Sequence, residues 1–329
     1  MKFLKMFFIF CFCLVVLSGC GNKDSDLLKG LSKKIDGLSS YHLSGALEIV
    51  NNENTYLYDV DVSFLKNNFF RVSLVNKSNN HEQIILRNSE GVYVLTPSLN
   101  KSFKFQSEWP YNNSQSYLLH SILNDINSDS DRIIEYNDDS YVITVKAQYS
   151  NNDELVKQRI YIDKDKNIKC VEVLNSDDIV KMKMSFNDIE YNYSYDEADF
   201  KLENNMTVFS DFSDYKGSID DVLYPMYIPK NTFLSSQNKV SIPDGERIIM
   251  TFSGDSPFML IEETLSSADS MLSVSGDPFQ LVDSVAVMDE TSITWISDGI
   301  EYYLVSNSLD QQQLVDVANS MTVASIVKW

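Results

Sequence analysis

Leu43-Ser44-Gly45-Ala46-Leu47-Glu48-Ile49 and Tyr56-Leu57-Tyr58-Asp59-Val60-Asp61-Val62-Ser63-Phe64 decide the fold. In both stretches apolar side chains, or Gly45, recur at every second position. Successive side chains of a strand point to opposite faces, so this period predicts two strands with one face buried. Residues 51–54 between them are asparagine-rich, as a tight turn requires. The same alternation of short apolar runs and polar turns continues downstream. Phe70 to Leu74, Gln83 to Leu86, Val92 to Leu95 and Phe103 to Phe105 read as strands. Arg132 to Tyr136, Tyr141 to Ala147, Val156 to Ile162, Ile168 to Leu174 and Ile179 to Ile189 follow. Strands spaced about ten residues apart predict an antiparallel meander. Two stretches have the helical period instead. Leu27, Leu28, Leu31, Ile35 and Leu38 share one face of a helix over Asp26 to Ser39, and Tyr117, Leu118, Ile122 and Ile126 do so within Ser114 to Ile126. A sheet with one apolar face and two amphipathic helices to cover it predicts an α+β fold or an incompletely closed barrel.

The expected organisation is a signal over 1–19, a tether over 20–25, a sheet domain over 26–209, a polar linker over 210–221 and a second, small α+β domain over 222–329. Strands are expected at Arg247 to Phe252, Phe258 to Glu262, Val282 to Met288, Ser292 to Ile296 and Glu301 to Val305. Ser308-Leu309-Asp310-Gln311 has the pattern that caps a final helix.

At the start of the chain, Lys2 and Lys5 precede an uncharged, mostly apolar run from Met6 to Val16, which ends in Leu17-Ser18-Gly19-Cys20. Such a run is short for a membrane span of roughly 20 residues and reads as a secretory signal. Small residues before a cysteine make a lipobox, so Cys20 is the expected lipidation site. The chain should then be anchored to a membrane on its extracytoplasmic face. Lys and Arg number 27 against 47 Asp and Glu, a formal charge of −20. That balance argues against nucleic acid and against electrostatic docking on anionic headgroups. Beyond the signal, Cys170 is the remaining thiol after Cys20, which leaves no internal disulfide.

Residues 84–119 carry a family resemblance. Leu95-Thr96-Pro97-Ser98-Leu99-Asn100-Lys101-Ser102-Phe103 and Phe105-Gln106-Ser107-Glu108-Trp109-Pro110 are its most specific part, followed by Ser114-Gln115-Ser116-Tyr117-Leu118-Leu119. The chain resembles the YdcC-type sporulation lipoproteins of endospore formers, relatives of LolA-like lipoprotein carriers. The tail resembles a small domain often appended to them, through Tyr224-Pro225-Met226-Tyr227-Ile228-Pro229 and Ser292-Ile293-Thr294-Trp295. The resemblance implies a LolA-like antiparallel half-barrel covered by helices. It also implies a non-enzymatic role in sporulation or germination, in the envelope and the space between the two membranes around the forespore. In the carriers the concave face takes acyl chains, whereas the similar GerS-type germination lipoproteins bind a cell-wall amidase. Partners implied are therefore the membrane through Cys20, an amidase or other envelope protein, or an acyl-chain ligand. Two alternatives stay open: a lipid or lipoprotein carrier, and an RseB-like envelope-stress regulator.

No catalytic constellation stands out. His42, His81 and His120 are widely spaced, and no Gly-x-Ser-x-Gly elbow, phosphate loop or His-Glu-x-x-His occurs. Asp163-Lys164-Asp165-Lys166-Asn167 begins like a calcium loop, but Ile168 and Leu174 stand where glycine and glutamate belong. No cofactor or metal is expected. Phe103, Phe105, Trp109, Tyr117 and Leu118 cluster where strand passes to helix. They are expected either to pack the core or to line an apolar cavity or partner surface.

Overall fold

The structure, a computed structural model, describes residues 23–52, 54–149, 152–206, 218–243, 245–265 and 270–323. Cys20 and the rest of 1–22, residues 210–217 of the expected linker, and Trp329 lie outside the described residues.

Helix α1 (Lys23–Ile35) opens the described chain, with Asp24 and Asp26 in its first turn and Lys33 and Lys34 in its last. Both signs complement the helix dipole. The helix starts three residues before the expected Asp26, inside the segment read as tether, and ends at Ile35 where a turn at 36–37 follows. An antiparallel run comes next: β1 (Ser40–Asn51), β2 (Asn54–Leu65), β3 (Phe69–Asn76), β4 (Glu82–Asn88), β5 (Gly91–Thr96) and β6 (Lys101–Phe105). After α2 (Leu119–Ser128) the sheet resumes with β7 (Ile133–Asn137), β8 (Ser140–Lys146), β9 (Lys157–Asp163), β10 (Ile168–Leu174) and β11 (Val180–Tyr191). Strand β11 pairs with β1, which joins the two runs into one sheet. Asparagine sets several of its turns. Asn67 and Asn68, between β2 and β3, both have positive φ (75° and 71°), a conformation asparagine tolerates better than most residues.

The expected helix from Ser114 begins only at Leu119, because 114–118 is held in extended and turn geometry. There Ser114 N–H donates to the Gln148 carbonyl (2.8 Å), Ser114 Oγ accepts from Gln148 N–H (2.9 Å), and Ser121 Oγ accepts from Gln115 N–H (2.8 Å). Leu27, Leu31 and Ile35 of α1 and Ile122, Leu123 and Ile126 of α2 pack on the sheet face that carries Leu43, Leu47, Val62, Val72 and Val171. Over β3–β5 the opposite face is buried as well. Phe69, Ile84, Leu86, Tyr93 and Leu95 pack there against Phe200, carried on a 3-10 turn at Glu197–Phe200 ahead of the short α3 (Leu202–Asn205). Burial on both faces explains why Ile84-Ile85-Leu86 and Val92-Tyr93-Val94-Leu95 are unbroken apolar runs.

The second part of the chain contains β12 (Leu223–Pro225), β13 (Thr232–Ile242), β14 (Gly245–Gly254), β15 (Phe258–Thr264), β16 (Ser270–Val274), β17 (Asp277–Gln280), β18 (Val285–Met288), β19 (Ser292–Ser297), β20 (Ile300–Val305), α4 (Gln311–Asn319) and β21 (Met321–Val323). Seven of these strands form a second sheet in the order β13-β14-β15-β20-β19-β18-β17. Leu314, Val317 and Ala318 of α4 pack in one core with Ile293, Trp295 and Leu304 of that sheet. The helix is capped at Asp310, not Ser308: the Asp310 side chain accepts from Gln313 N–H, and Gln313 returns the bond to Asp310 N–H.

Strand β16 departs from the expected division. It leaves the second sheet and adds in parallel to β6, pairing Ser270–Val274 with Lys101–Phe105 and completing a twelve-stranded first sheet. The architecture is thus α+β and dominated by sheet, with chain from beyond residue 222 built into the first sheet.

Candidate functional site

Where the two sheets meet, a cleft of about 110 Å³ opens. Its first wall comes from the end of β1 (Ile49, Asn51), the 113–117 loop, the loop before β9 (Tyr149, Asn152, Leu155) and Met182 of β11. Its second comes from Pro278–Val282 and from Asn319 at the end of α4. Hydrogen bonds tie the walls together. Asn51 Nδ2 donates to the Asn319 carbonyl (3.0 Å), Val282 N–H donates to Asn319 Oδ1 (3.0 Å), and Tyr58 OH donates to the Val282 carbonyl (2.9 Å). Beside them Gln83, only 5% exposed, clasps one residue twice: its Nε2 donates to the Val285 carbonyl (3.3 Å), and its Oε1 accepts from Val285 N–H (2.6 Å). Val282, Val285, Val287 and Ile296 belong to the first sheet's core, so the joint is apolar as well as hydrogen-bonded.

The charged lining residues are Lys181 and Glu154, which pair at 2.6 Å. The polar groups around the cleft are strongly shielded. Burial raises the Tyr117 phenol well above its ordinary range. It does the same to Tyr149, where Ser116 opposes the shift although the two hydroxyls fall outside hydrogen-bonding geometry. Ser116 Oγ, Tyr149 OH and Gln280 Oε1 are buried without a hydrogen-bond partner. Next to the wall, Asp125 of α2 accepts from Gln158 Nε2 (3.0 Å), and burial pushes its carboxyl up to about 6 against that bond and one from Ser114. This arrangement offers shape and neutral hydrogen-bonding groups. Among the described residues no cluster of three or more His, Cys, Asp or Glu could hold a metal ion.

The structure buries all five of the aromatic and leucine residues singled out by sequence in one core. Phe103 and Phe105 pair across β5 with Val94 and Val92, Trp109 lies edge-on to Phe70 at 6.0 Å, and Leu118 precedes α2. Tyr117 alone of the five reaches the cleft; Phe103 borders a separate groove with Arg247 and Tyr303. Sequence reading missed Asn51, Asn152, Gln280 and Asn319. They come from four distant segments, and each looks like ordinary turn or helix-end chemistry. Of the histidines, His120 stacks on Tyr41 and lies tilted against Phe64, and His42 Nδ1 lies 2.9 Å from Tyr195 OH. Asp163 is occupied by its own turn, accepting from the N–H groups of Asp165 and Asn167 (2.9 and 2.8 Å).

Fold and cleft together define a sheet-dominated α+β protein with a small, charge-balanced cavity at an internal joint. Comparison with known proteins narrows this. No family model matches the chain. The sporulation protein YdcC of Bacillus subtilis (strain 168) is 35% identical over 315 residues, covering 94% of this chain and 93% of the relative. The chain belongs to the YdcC family of sporulation proteins. Among solved structures, a chain of the Pseudomonas aeruginosa MucA/MucB complex matches 92% of this chain and 99% of its own length, at 14% identity and a TM-score of 0.33. A LolA superfamily protein from Nitrosomonas europaea matches 55% of this chain and 98% of its own, at 10% identity and a TM-score of 0.33.

Proposed function

We infer that this protein is a lipoprotein of the sporulating cell's envelope, anchored by lipid on Cys20 to the extracytoplasmic membrane face, and that it acts by binding a protein partner rather than by catalysis. The observation that carries this reading is the 35% identity to a sporulation protein over 94% of the chain. The lipobox Leu17-Ser18-Gly19-Cys20 supports the address. The LolA-like half-barrel and the domain limits 26–209 and 222–329 remain part of this proposal, with β16 lent by the second domain to the first.

Deleting the gene should lower spore yield or germination while vegetative growth stays normal. Affinity capture from sporulating cells should recover an envelope protein such as a cell-wall amidase. Capture of a membrane-spanning regulator alone would favour the stress-regulator reading, and unchanged yield and germination in the deletion strain would refute the sporulation role. Cys20→Ala should move the protein from the membrane to the soluble fraction.

A further inference from the structure

Resting on the reading that the protein acts by binding a protein partner, we propose that the free edge of β16 takes up an extended segment of a basic partner, which adds as a further strand of the first sheet and seats apolar side chains in the groove beside it. Strand β16 (Ser270–Val274) ends the twelve-stranded sheet: one side pairs with β6, and the other pairs with no strand among the described residues. Such an edge offers backbone N–H and C=O groups to any extended chain, and sheets ordinarily guard it with charge or proline. The other three edges of the two large sheets are guarded in this way. Strand β7 carries Glu135, β13 carries Lys239, and β17 carries Asp277 and Pro278. Ser270-Met271-Leu272-Ser273-Val274 contains neither charge nor proline, and Met271 and Leu272 are 54% and 43% exposed.

A groove of about 370 Å³ runs beside this edge. Leu272 and Val274, two positions apart on β16, form its first wall, with Phe103 of β6 in register with Leu272. Ile261 of β15 and Tyr303 of β20, paired across the second sheet, form the other wall. Side chains of a strand alternate between faces, so every second residue of an added strand would enter the groove while its backbone pairs with β16. Apolar residues at those positions would cover Leu272 and the half-exposed Tyr303. Charge selects the sign of the partner. Arg247 is committed to Glu263 at 2.6 Å, whereas Glu301 in the same groove forms no ion pair among the described residues. Burial raises the Glu301 carboxyl, Lys101 opposes that rise, and Glu263 adds to it. A lysine or arginine on the incoming strand would complete the counter-charge that Lys101 supplies in part. A chain of formal charge −20 also favours the approach of a basic segment.

The test presents the full chain, in detergent, to a phage-displayed library of random decapeptides. Enriched peptides should alternate apolar residues and carry lysine or arginine, and a fluorescein-labelled copy of one should bind saturably by anisotropy. Leu272 is exposed, so Leu272→Lys should melt like the parent, and it should bind that peptide roughly tenfold more weakly. Glu301→Gln should also weaken it roughly tenfold, and that loss should vanish for a peptide with leucine in place of its basic residue. No enrichment, enrichment of acidic peptides, or binding undiminished in Leu272→Lys overturns the proposal. So does a dimer in sedimentation velocity that Leu272→Lys dissolves, which would give the edge to a second copy of this chain. An envelope protein captured from sporulating cells equally by the parent and by Leu272→Lys would overturn this edge and leave partner binding standing, whereas capture of none by either would remove both.

Discussion

Replacing Gln83 by leucine tests how the two sheets are joined. Gln83 sits on β4 of the first sheet, and its whole carboxamide is spent on the Val285 backbone of the second. Leucine keeps the approximate bulk and removes both bonds. Val285 N–H then loses its 2.6 Å acceptor, while its carbonyl keeps a 3.4 Å contact from Ser284 Oγ. An orphaned buried backbone group costs about 1–3 kcal/mol, so the variant should lose about 2–4 kcal/mol in all. Tyr58→Phe removes the neighbouring bond to the Val282 carbonyl and should cost about 1 kcal/mol alone. Because Val282 and Val285 lie on one segment, the double variant should lose less or more than the sum, and the difference measures their coupling. Urea denaturation followed by circular dichroism and tryptophan emission reads all four proteins. Trp109 reports the first sheet's core and Trp295 the second's. A loss below about 0.5 kcal/mol for Gln83→Leu, the range of an uninvolved surface change, would refute the clasp.

Asp125→Asn should stabilise the protein above pH 7. Burial lifts the folded carboxyl from 3.8 to about 6, so the folded state holds the proton more tightly and stability falls as pH rises from about 4 to 6; at 1.36 kcal/mol per pKa unit the variant regains about 3 kcal/mol, measured as a flattened pH profile of melting. Glu262, fully buried with Oε2 unpartnered and pushed up to about 7 by burial, carries the same sign, so Glu262→Gln should gain stability at pH 8 relative to pH 5 in the same assay. Gly45→Ala should cost about 1–3 kcal/mol in urea melts, because its Cβ would stand 2.4 Å from the Ser185 carbonyl oxygen at the β1–β11 bulge.

Where burial alternates, the sequence was readable. Leu43, Leu47 and Ile49 point inward and Ser44, Ala46 and Glu48 outward, so period two showed plainly and β1 and β2 lie where expected. Where burial does not alternate, the signal vanished. Strand β13 (Thr232–Ile242) is exposed along nearly its whole length on both faces, so Phe233, Leu234 and Val240 show no apolar period, and within its sheet the strand pairs with β14. Strand β16 was illegible for a different reason. Five residues of modest hydropathy say nothing about a parallel partner some 170 positions away, and only tertiary contact selects β6. The cleft falls in the same class. Asparagine is a turn residue by default, and nothing local marks Asn51, Asn152, Gln280 and Asn319 as neighbours in space. Of the two readings open for the aromatic cluster, these residues follow the core one. Phe103, Phe105 and Trp109 are adjacent in sequence and rich in apolar area, and that is sufficient reason for a core to take them.

The joint between the sheets bears on how any ligand is bound. If the second sheet merely hung from a linker, a cleft between the two would open and close, and binding would have to fix their orientation. Here three ties oppose that motion: the parallel addition of β16 to β6, the insertion of Val282, Val285, Val287 and Ile296 into the first core, and the bonds from Asn51, Tyr58 and Gln83. The last two share the Val282–Val285 segment, whereas β16 is a separate stretch of chain, so loss of one bond there leaves β16 paired with β6. The walls of the cleft are therefore set before a ligand arrives, and little orientation has to be lost on binding.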